Sequence, residues 1–96
     1  MGEDQRRRIG ALHTDEHRKF VEALADARRD AGISQHELAH LLGRDQTYVS
    51  KYEKGRQRLD VIEFLRIVTA LGVEPMVILN QIPRMGRPQP GPSVDH

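Results

Sequence analysis

A short stretch near the middle of the chain carries the side chains best suited to chemistry with a polar partner. Residues 34–55 read SQHELAHLLGRDQTYVSKYEKG, which is two short segments on either side of one glycine. At helical spacing, the second segment turns Val49 and Tyr52 to one side. Hydrogen-bonding and cationic side chains share its other side: Gln46, Thr47, Ser50, Lys51 and Lys54. Such side chains can donate and accept hydrogen bonds at base edges and at phosphates.

Positive charge is concentrated around the same stretch. The 96-residue chain has a formal net charge of only +1, which neither requires nor excludes a nucleic-acid partner. Between residues 44 and 58, however, two anions accompany five cations, which are Arg44, Lys51, Lys54, Arg56 and Arg58. Alone, such a cluster is more often a solvated surface of mixed sign, so the pattern of the neighbouring residues has to decide its meaning.

Two histidine pairs at i, i+4 spacing are the other candidates for chemistry. His13 and His17 form one pair and His36 and His40 the other, and two imidazoles on one helical face can hold zinc. The chain has no cysteine and no obvious third ligand, so we expect neither a metal nor another cofactor. It also lacks a Gly-x-Ser-x-Gly elbow and a glycine-rich phosphate loop, and we therefore expect no enzymatic activity.

Helical periodicity extends through the middle of the chain, and no strand pattern competes with it. Each predicted helix begins near a polar capping residue, and the first four end near a glycine. The expected N-terminal residues are Thr14, Ser34, Asp45, Asp60 and Glu74, and the expected glycines are Gly32, Gly43, Gly55 and Gly72. The first helix is predicted to face inward through Phe20, Leu24, Ala27 and Ala31. The sequence therefore predicts an all-α, compact five-helix domain over residues 14–82.

The two ends of the chain differ in composition from this domain. Residues 1–13 are polar, with three consecutive arginines at 6–8, and are predicted to form a flexible basic arm. The arm either follows phosphates or reaches the minor groove of DNA, or it is simply solvated. Residues 83–96 are rich in proline and glycine and are predicted to be a disordered tail. No apolar stretch reaches the roughly 18 residues of a membrane span, and no secretory signal begins the chain, so we expect a cytoplasmic protein.

An ordered set of residues in the middle of the chain matches a known pattern. The set comprises Ser34, Gln35, Glu37, Leu38, Ala39, Leu42, Gly43, Val49, Ser50, Glu53 and Gly55, followed by Leu71, Gly72 and Val73. In this order and spacing it resembles the helix-turn-helix of the Cro/C1-type (Xre family) regulators, the family of the lambdoid phage repressors. The resemblance implies a lambda-repressor-like domain with the helix-turn-helix at its second and third helices. It also implies sequence-specific binding of double-stranded DNA, with the third helix in the major groove.

The resemblance further implies roles for individual residues. Base contacts are expected from Gln46, Thr47 and Lys51, with Ser50 beside them. Contacts to the DNA backbone are expected from Gln35, Arg44, Tyr48, Lys54, Arg56 and Arg58, although Tyr48 has an equal alternative as a plain surface aromatic. Arg28 and Glu53 match a buried ion pair that ties the first helix to the third. Lys51 replaces an amide that is common in the phage repressors, so the preferred DNA site should differ from theirs.

Apolar residues on the fourth and fifth helices exceed what a single buried face needs. The surplus is predicted to form a homodimer interface of Val61, Phe64, Met76, Val77, Leu79 and Ile82, and the alternative is a fuller core. A dimer would read two half-sites about 34 Å apart, which suits a repressor that occupies a promoter. Two rivals remain: an antitoxin or antagonist-bound module whose fourth and fifth helices bind another protein, and an enzyme that uses the histidine pairs.

Overall fold

Five α-helices follow one another along residues 14–83, the part of the chain that this computed structural model describes. They are α1 (Asp15–Asp30), α2 (Gln35–Leu42), α3 (Gln46–Glu53), α4 (Val61–Leu71) and α5 (Pro75–Leu79). The predicted all-α, five-helix architecture is confirmed, and residues 14–83 contain no strand. The predicted basic arm at 1–13, which includes His13, and all of the predicted tail beyond Pro83 lie outside the described residues.

The helix boundaries are determined by local capping chemistry. The Thr14 hydroxyl accepts a hydrogen bond from the His17 backbone N–H at 3.1 Å, which caps the start of α1. Ser34 with Glu37, and Asp60 with Glu63, form complete capping boxes at the starts of α2 and α4. Each box pairs two backbone N–H groups that the first turn of a helix would otherwise leave without a partner.

Gly43 allows α3 to begin only a few residues after α2 ends. It is the C-cap of α2 with φ of 70°, in the left-handed region where L side chains are disfavoured. A Cβ at this position would meet no atom within 4 Å, so the backbone conformation, and not crowding, calls for glycine. Asp45 then caps α3 by accepting from the Tyr48 backbone N–H at 3.3 Å.

The core lies where the five helices meet. Its completely buried members come from every helix: Leu24, Leu38, Val49, Tyr52, Ile67 and Ile78 each have 0% of their surface exposed. α1 contacts α3, α4 and α5, whereas α2 packs against α3 and α4. The two short helices α2 and α3 are therefore held on a shared apolar base that α1 and α4 complete.

The buried stripe of α1 is shifted from the predicted one. Ala31 is exposed and Phe20 and Ala27 are only half-buried, whereas the most deeply buried stripe includes His17, Val21, Leu24 and Arg28. Phe20 and Ala27 still pack against the core, so the predicted face borders the most deeply buried one, two of whose members are polar. Only Leu24 belongs to both stripes.

Phe64 is in the core, and its predicted place in a dimer interface is wrong. It is 6% exposed, and its ring contacts Phe20 with centroids 5.4 Å apart. α4 is apolar on several sides, and Phe64 shares its inner side with Ile67, Val68 and Leu71. The exposed apolar residues of α4 are Val61, Ile62 and Leu65.

None of the helices between residues 14 and 83 is long and apolar enough to cross a lipid bilayer. The longest, α1, has 16 residues and begins with acidic side chains.

Candidate nucleic-acid interface

The outer side of α3 is the most polar exposed face near the helix-turn-helix turn. Val49 and Tyr52 are fully buried beneath it, as their spacing predicted. On the opposite side Gln46, Thr47 and Lys51 are exposed, while Ser50 is half-buried. The four side chains predicted to contact bases are therefore brought together on one short helix.

A buried ion pair holds α3 against α1. Arg28 donates from Nε to Glu53 Oε2 at 2.8 Å and from Nη2 to Glu53 Oε1 at 3.1 Å. The two side chains are only 11% and 7% exposed. Arg28 also donates from Nη1 to the Ile33 carbonyl at 2.9 Å, just before α2. The hydrogen bonds that Arg28 donates to Glu53 raise the pKa of Arg28 above its ordinary value, so the guanidinium stays charged.

Two glutamines extend this pair to the exposed surface. Gln35 Nε2 donates to Glu53 Oε1 at 2.8 Å, and Gln46 Nε2 donates to Gln35 Oε1 at 3.2 Å. The resemblance implies a DNA-backbone contact for Gln35, but it does not predict that the Gln35 amide joins Glu53 to Gln46. Spacing along the chain does not reveal this link, because Gln35 lies at the start of α2 whereas Gln46 and Glu53 lie at opposite ends of α3.

Tyr48 is buried, whereas both expectations for it, a DNA-backbone contact and a plain surface aromatic, place its ring on the open surface. It is 7% exposed, and its ring meets that of Tyr52 edge-on with centroids 5.6 Å apart. Burial raises the pKa of the Tyr48 phenol above its ordinary value. The Arg44 guanidinium lies 3.9 Å from the centroid of the Tyr48 ring and covers it. Tyr48 is therefore placed to support Arg44, and the expected surface position of its ring is corrected.

Cationic side chains surround the outer face of α3. Arg44 lies immediately before the helix, Lys51 within it, and Lys54, Arg56 and Arg58 just after it, and all five are exposed. This arrangement combines a hydrogen-bonding face with flanking positive charge, which suits a groove walled by phosphates.

The histidines do not assemble a metal centre in the part of the chain described. Between residues 14 and 83, no three His, Cys, Asp or Glu side chains come close enough to hold a metal ion. His36 and His40 are exposed on α2, and His17 is buried on α1.

The helix-turn-helix family model, whose description reads simply helix-turn-helix, matches residues 24–78. This range covers more than half of the chain and contains both α2 and α3. The chain belongs to the Cro/C1-type (Xre) helix-turn-helix family. The helix-turn-helix lies at the second and third helices, as predicted, and the protein is a DNA-binding regulator of this family.

Solved structures from bacteria resemble this family member along most of its length. An XRE-family-like protein from Pseudomonas syringae pv. tomato is 40% identical, with a TM-score of 0.67, over 76% of this chain and 89% of that one. The restriction-modification controller protein C.AhdI from Aeromonas hydrophila is 37% identical, with a TM-score of 0.59, over 62% and 91%. The clp gene regulator ClgR from C. glutamicum is 26% identical, with a TM-score of 0.65, over 69% and 86%. No curated protein matches the chain.

Proposed function

We propose that this protein is a cytoplasmic, sequence-specific transcriptional regulator that inserts α3 into the major groove of double-stranded DNA. One observation carries the proposal. The exposed face of α3 is polar, while hydrogen bonds among Arg28, Glu53 and Gln35 tie the helix to α1 and α2. A rigid helix that presents hydrogen-bonding side chains is what direct readout of base edges requires.

The proposed contacts divide into two classes. Base edges are read by Gln46, Thr47, Ser50 and Lys51. Phosphates are bound by Gln35, Arg44, Lys54, Arg56 and Arg58, with Tyr48 supporting Arg44 from beneath. Since each neutralised phosphate releases counterions, affinity should fall steeply as salt is raised, while sequence preference depends on the first class.

We further propose that the protein acts as a homodimeric repressor. Among residues 14–83, apolar side chains on α4 and α5 remain exposed, namely Val61 at 68%, Met76 at 56%, Val77 at 52% and Leu79 at 41%. Ile82, just after α5, is half-buried beside them. A two-fold contact through this surface would cover it and direct two copies of α3 to successive turns of DNA. The similar proteins described as a controller and a gene regulator support a role in controlling transcription.

A second candidate is a regulator that also binds another protein, such as a toxin or an antagonist. Leu41, Ile62 and Leu65 line a groove of 530 Å³ between α2 and α4, and no α5 residue lines it. This groove is therefore a second exposed apolar surface, separate from the one on α5. Co-purification of one stoichiometric protein from the native host would favour this candidate.

Fluorescence anisotropy tests the main proposal. Labelled duplex from the DNA upstream of the gene is titrated with protein across a salt series, in the presence of unlabelled scrambled duplex. We expect binding that the scrambled duplex does not displace, and a strong loss of preference in Thr47→Ala and Lys51→Ala. Equal binding to both duplexes, abolished by moderate salt, would contradict sequence-specific regulation.

A further inference from the structure

We infer that the side chain of Asp45, which caps α3, selects bases that carry an amino group over bases that carry a keto group at one position of the DNA site. Adenine and cytosine are the amino bases, and guanine and thymine are the keto bases. The inference rests on the proposed DNA-binding function and specifies one part of its sequence preference. It adds a carboxylate to the base-reading side chains proposed above.

Asp45 lies at the end of α3 that enters the major groove. It stands between Arg44, a proposed phosphate contact, and Gln46, a proposed base contact, and all three are exposed. In helix-turn-helix complexes the N-terminal residues of the recognition helix are the ones that contact base edges. Asp45 is therefore carried into the groove together with Gln46.

Asp45 is also the one exposed carboxylate among residues 44–58. The other carboxylate of that range, Glu53, is 7% exposed at its side chain and belongs to the buried ion pair. Capping does not by itself call for a charge, because the hydroxyls of Thr14 and Ser34 cap α1 and α2. A carboxylate adds a negative charge, which the walls of the groove repel unless a hydrogen-bond donor of the DNA meets it.

The capping bond decides which atom of Asp45 is left for DNA. Oδ1 accepts a hydrogen bond from the Tyr48 backbone N–H at 3.3 Å, so the atom at that position has to be an acceptor. No group of residues 14–83 donates a hydrogen bond to the second oxygen, Oδ2. An ionised carboxylate can only accept hydrogen bonds. Asp45 thus offers the groove one oriented acceptor.

A single acceptor distinguishes the bases by their major-groove edges. Adenine presents the N6 amino group and cytosine the N4 amino group, both of which donate. Thymine presents O4, and guanine presents O6 and N7, all of which accept and would face the carboxylate with like charge. The expected preference therefore groups adenine with cytosine. A preference that arose from the deformability of DNA would instead separate A·T pairs from G·C pairs.

Two substitutions change the group that faces DNA and keep the cap. In Asp45→Asn only the amide oxygen can accept from the Tyr48 N–H, so the amide nitrogen takes the place of Oδ2 and donates. In Asp45→Ser the hydroxyl caps the helix, as Ser34 does for α2, and no second group remains. Asparagine and serine are both favoured N-cap residues, so we expect both variants to fold.

The test starts from a pool of randomised duplexes, from which the wild-type protein selects its preferred site. The base pair at which preference disappears in Asp45→Ser is the one that Asp45 reads. Duplexes that differ only there, with the pair in either orientation (A·T or T·A, C·G or G·C), are then compared by anisotropy at fixed salt.

The three proteins should differ in the ratio of affinities at this pair. For wild type we expect the amino base to be preferred over the keto base on the same strand by about fivefold or more, which is what one mismatched pair costs. For Asp45→Ser we expect a ratio of about twofold or less, and for Asp45→Asn a reversal to the keto base by about threefold.

Asp60→Asn is the matched control. Asp60 caps α4 through the same kind of bond, in which its Oδ1 accepts from the Glu63 backbone N–H at 2.7 Å. The substitution removes the same charge from an exposed cap outside α3, so it can raise the affinity for every duplex but should leave the ratio at the wild-type value. Circular dichroism supplies the melting temperatures, and all proteins are compared well below them.

The possible outcomes are distinguishable. If the pool yields no preferred sequence, the proposed function itself fails, and this inference with it. If a site is selected but Asp45→Ser loses preference at no pair, or wild type prefers the keto base there, Asp45 does not read a base in this way. Variants of Asp45 that bind every duplex more tightly with unchanged ratios would show that the carboxylate only repels phosphates, which overturns the inference and leaves sequence-specific binding intact.

Discussion

Arg28 and Glu53 join α1 to α3 through a contact between two single side chains. Each is nearly removed from water, and each satisfies the charge of the other with two hydrogen bonds. A buried pair of this kind adds little net stability compared with apolar residues, but losing one member leaves the other charge without a partner. Glu53 also accepts from Gln35, whose amide meets Gln46, so the ion pair is joined to the face of α3 that is proposed to read bases.

Removing one member of this pair should be costly. We expect Arg28→Met to lower the free energy of unfolding by about 3–5 kcal/mol, because the buried Glu53 carboxylate would lose its charged partner. The double variant Arg28→Met, Glu53→Leu should lose clearly less than Arg28→Met alone, since no isolated charge remains. Urea denaturation followed by circular dichroism measures both. Equal losses in the single and double variants would show that packing, and not the stranded charge, dominates.

Tyr52 is another buried polar side chain, but removing its polar group is expected to cost no stability. Its ring is completely buried at the centre of the core, and its hydroxyl has no hydrogen-bond partner among the described residues. A buried hydroxyl without a partner is destabilising. Tyr52→Phe should therefore leave the free energy of unfolding unchanged or raise it by about 1 kcal/mol. Tyr52→Leu, which removes ring volume as well, should destabilise, and a comparable loss in both variants would contradict this explanation.

At the scale of elements, the start of α3 combines a capping residue, a cation and an aromatic ring. Arg44 precedes the cap Asp45 and stacks on Tyr48, one turn into the helix. Stacking uses the face of the guanidinium and leaves its N–H groups available, whereas an ion pair with a carboxylate would occupy them. Stacking on Tyr48 can thus hold Arg44 in place while its N–H groups stay available for a phosphate.

A double-mutant cycle tests this support. On the proposed function, Tyr48→Phe should bind DNA as wild type does, because the ring is retained, whereas Tyr48→Leu should bind about fivefold or more weakly, corresponding to roughly 1 kcal/mol for a stacked cation. In an Arg44→Gln background the further loss from Tyr48→Leu should disappear. The same loss in both backgrounds would mean that Tyr48 acts through the stability of the fold and not through Arg44.

The helices differ in how much of their structure can be predicted from the sequence. Caps such as Ser34 with Glu37 are local chemistry, visible within four residues, and the helix boundaries followed from them. The buried side of α4 is harder to predict. A helix that is apolar on several sides gives no sign of which side its neighbours cover, so its sequence wrongly suggests an outward position for Phe64. The link from Glu53 to Gln46 depends on how the start of α2 packs against α3, which no spacing along the chain encodes.

On the scale of the whole molecule, the exposed apolar residues of α5 should decide the oligomeric state. We expect wild type to sediment as a dimer and Met76→Lys to sediment as a monomer, since a buried ammonium without a partner opposes association. Glu22→Lys introduces the same group at an exposed position on α1 and should remain dimeric. Sedimentation equilibrium measures all three, and a monomeric wild type at every concentration would refute the dimer.

Alkaline pH should unfold the domain through its two tyrosines. Burial raises the pKa of Tyr48 and Tyr52 above the ordinary value of 10.0, which both groups regain on unfolding. Above that value the unfolded chain releases protons that the folded one retains, so the contribution of these two tyrosines to stability is constant below about pH 10 and falls as pH rises further. Melting temperatures between pH 8 and 11 measure the fall, and tyrosinate absorbance reports ionisation cleanly because the chain has two tyrosines and no tryptophan. Tyr52→Phe should make the fall shallower, and an unchanged slope would assign alkaline unfolding to other groups.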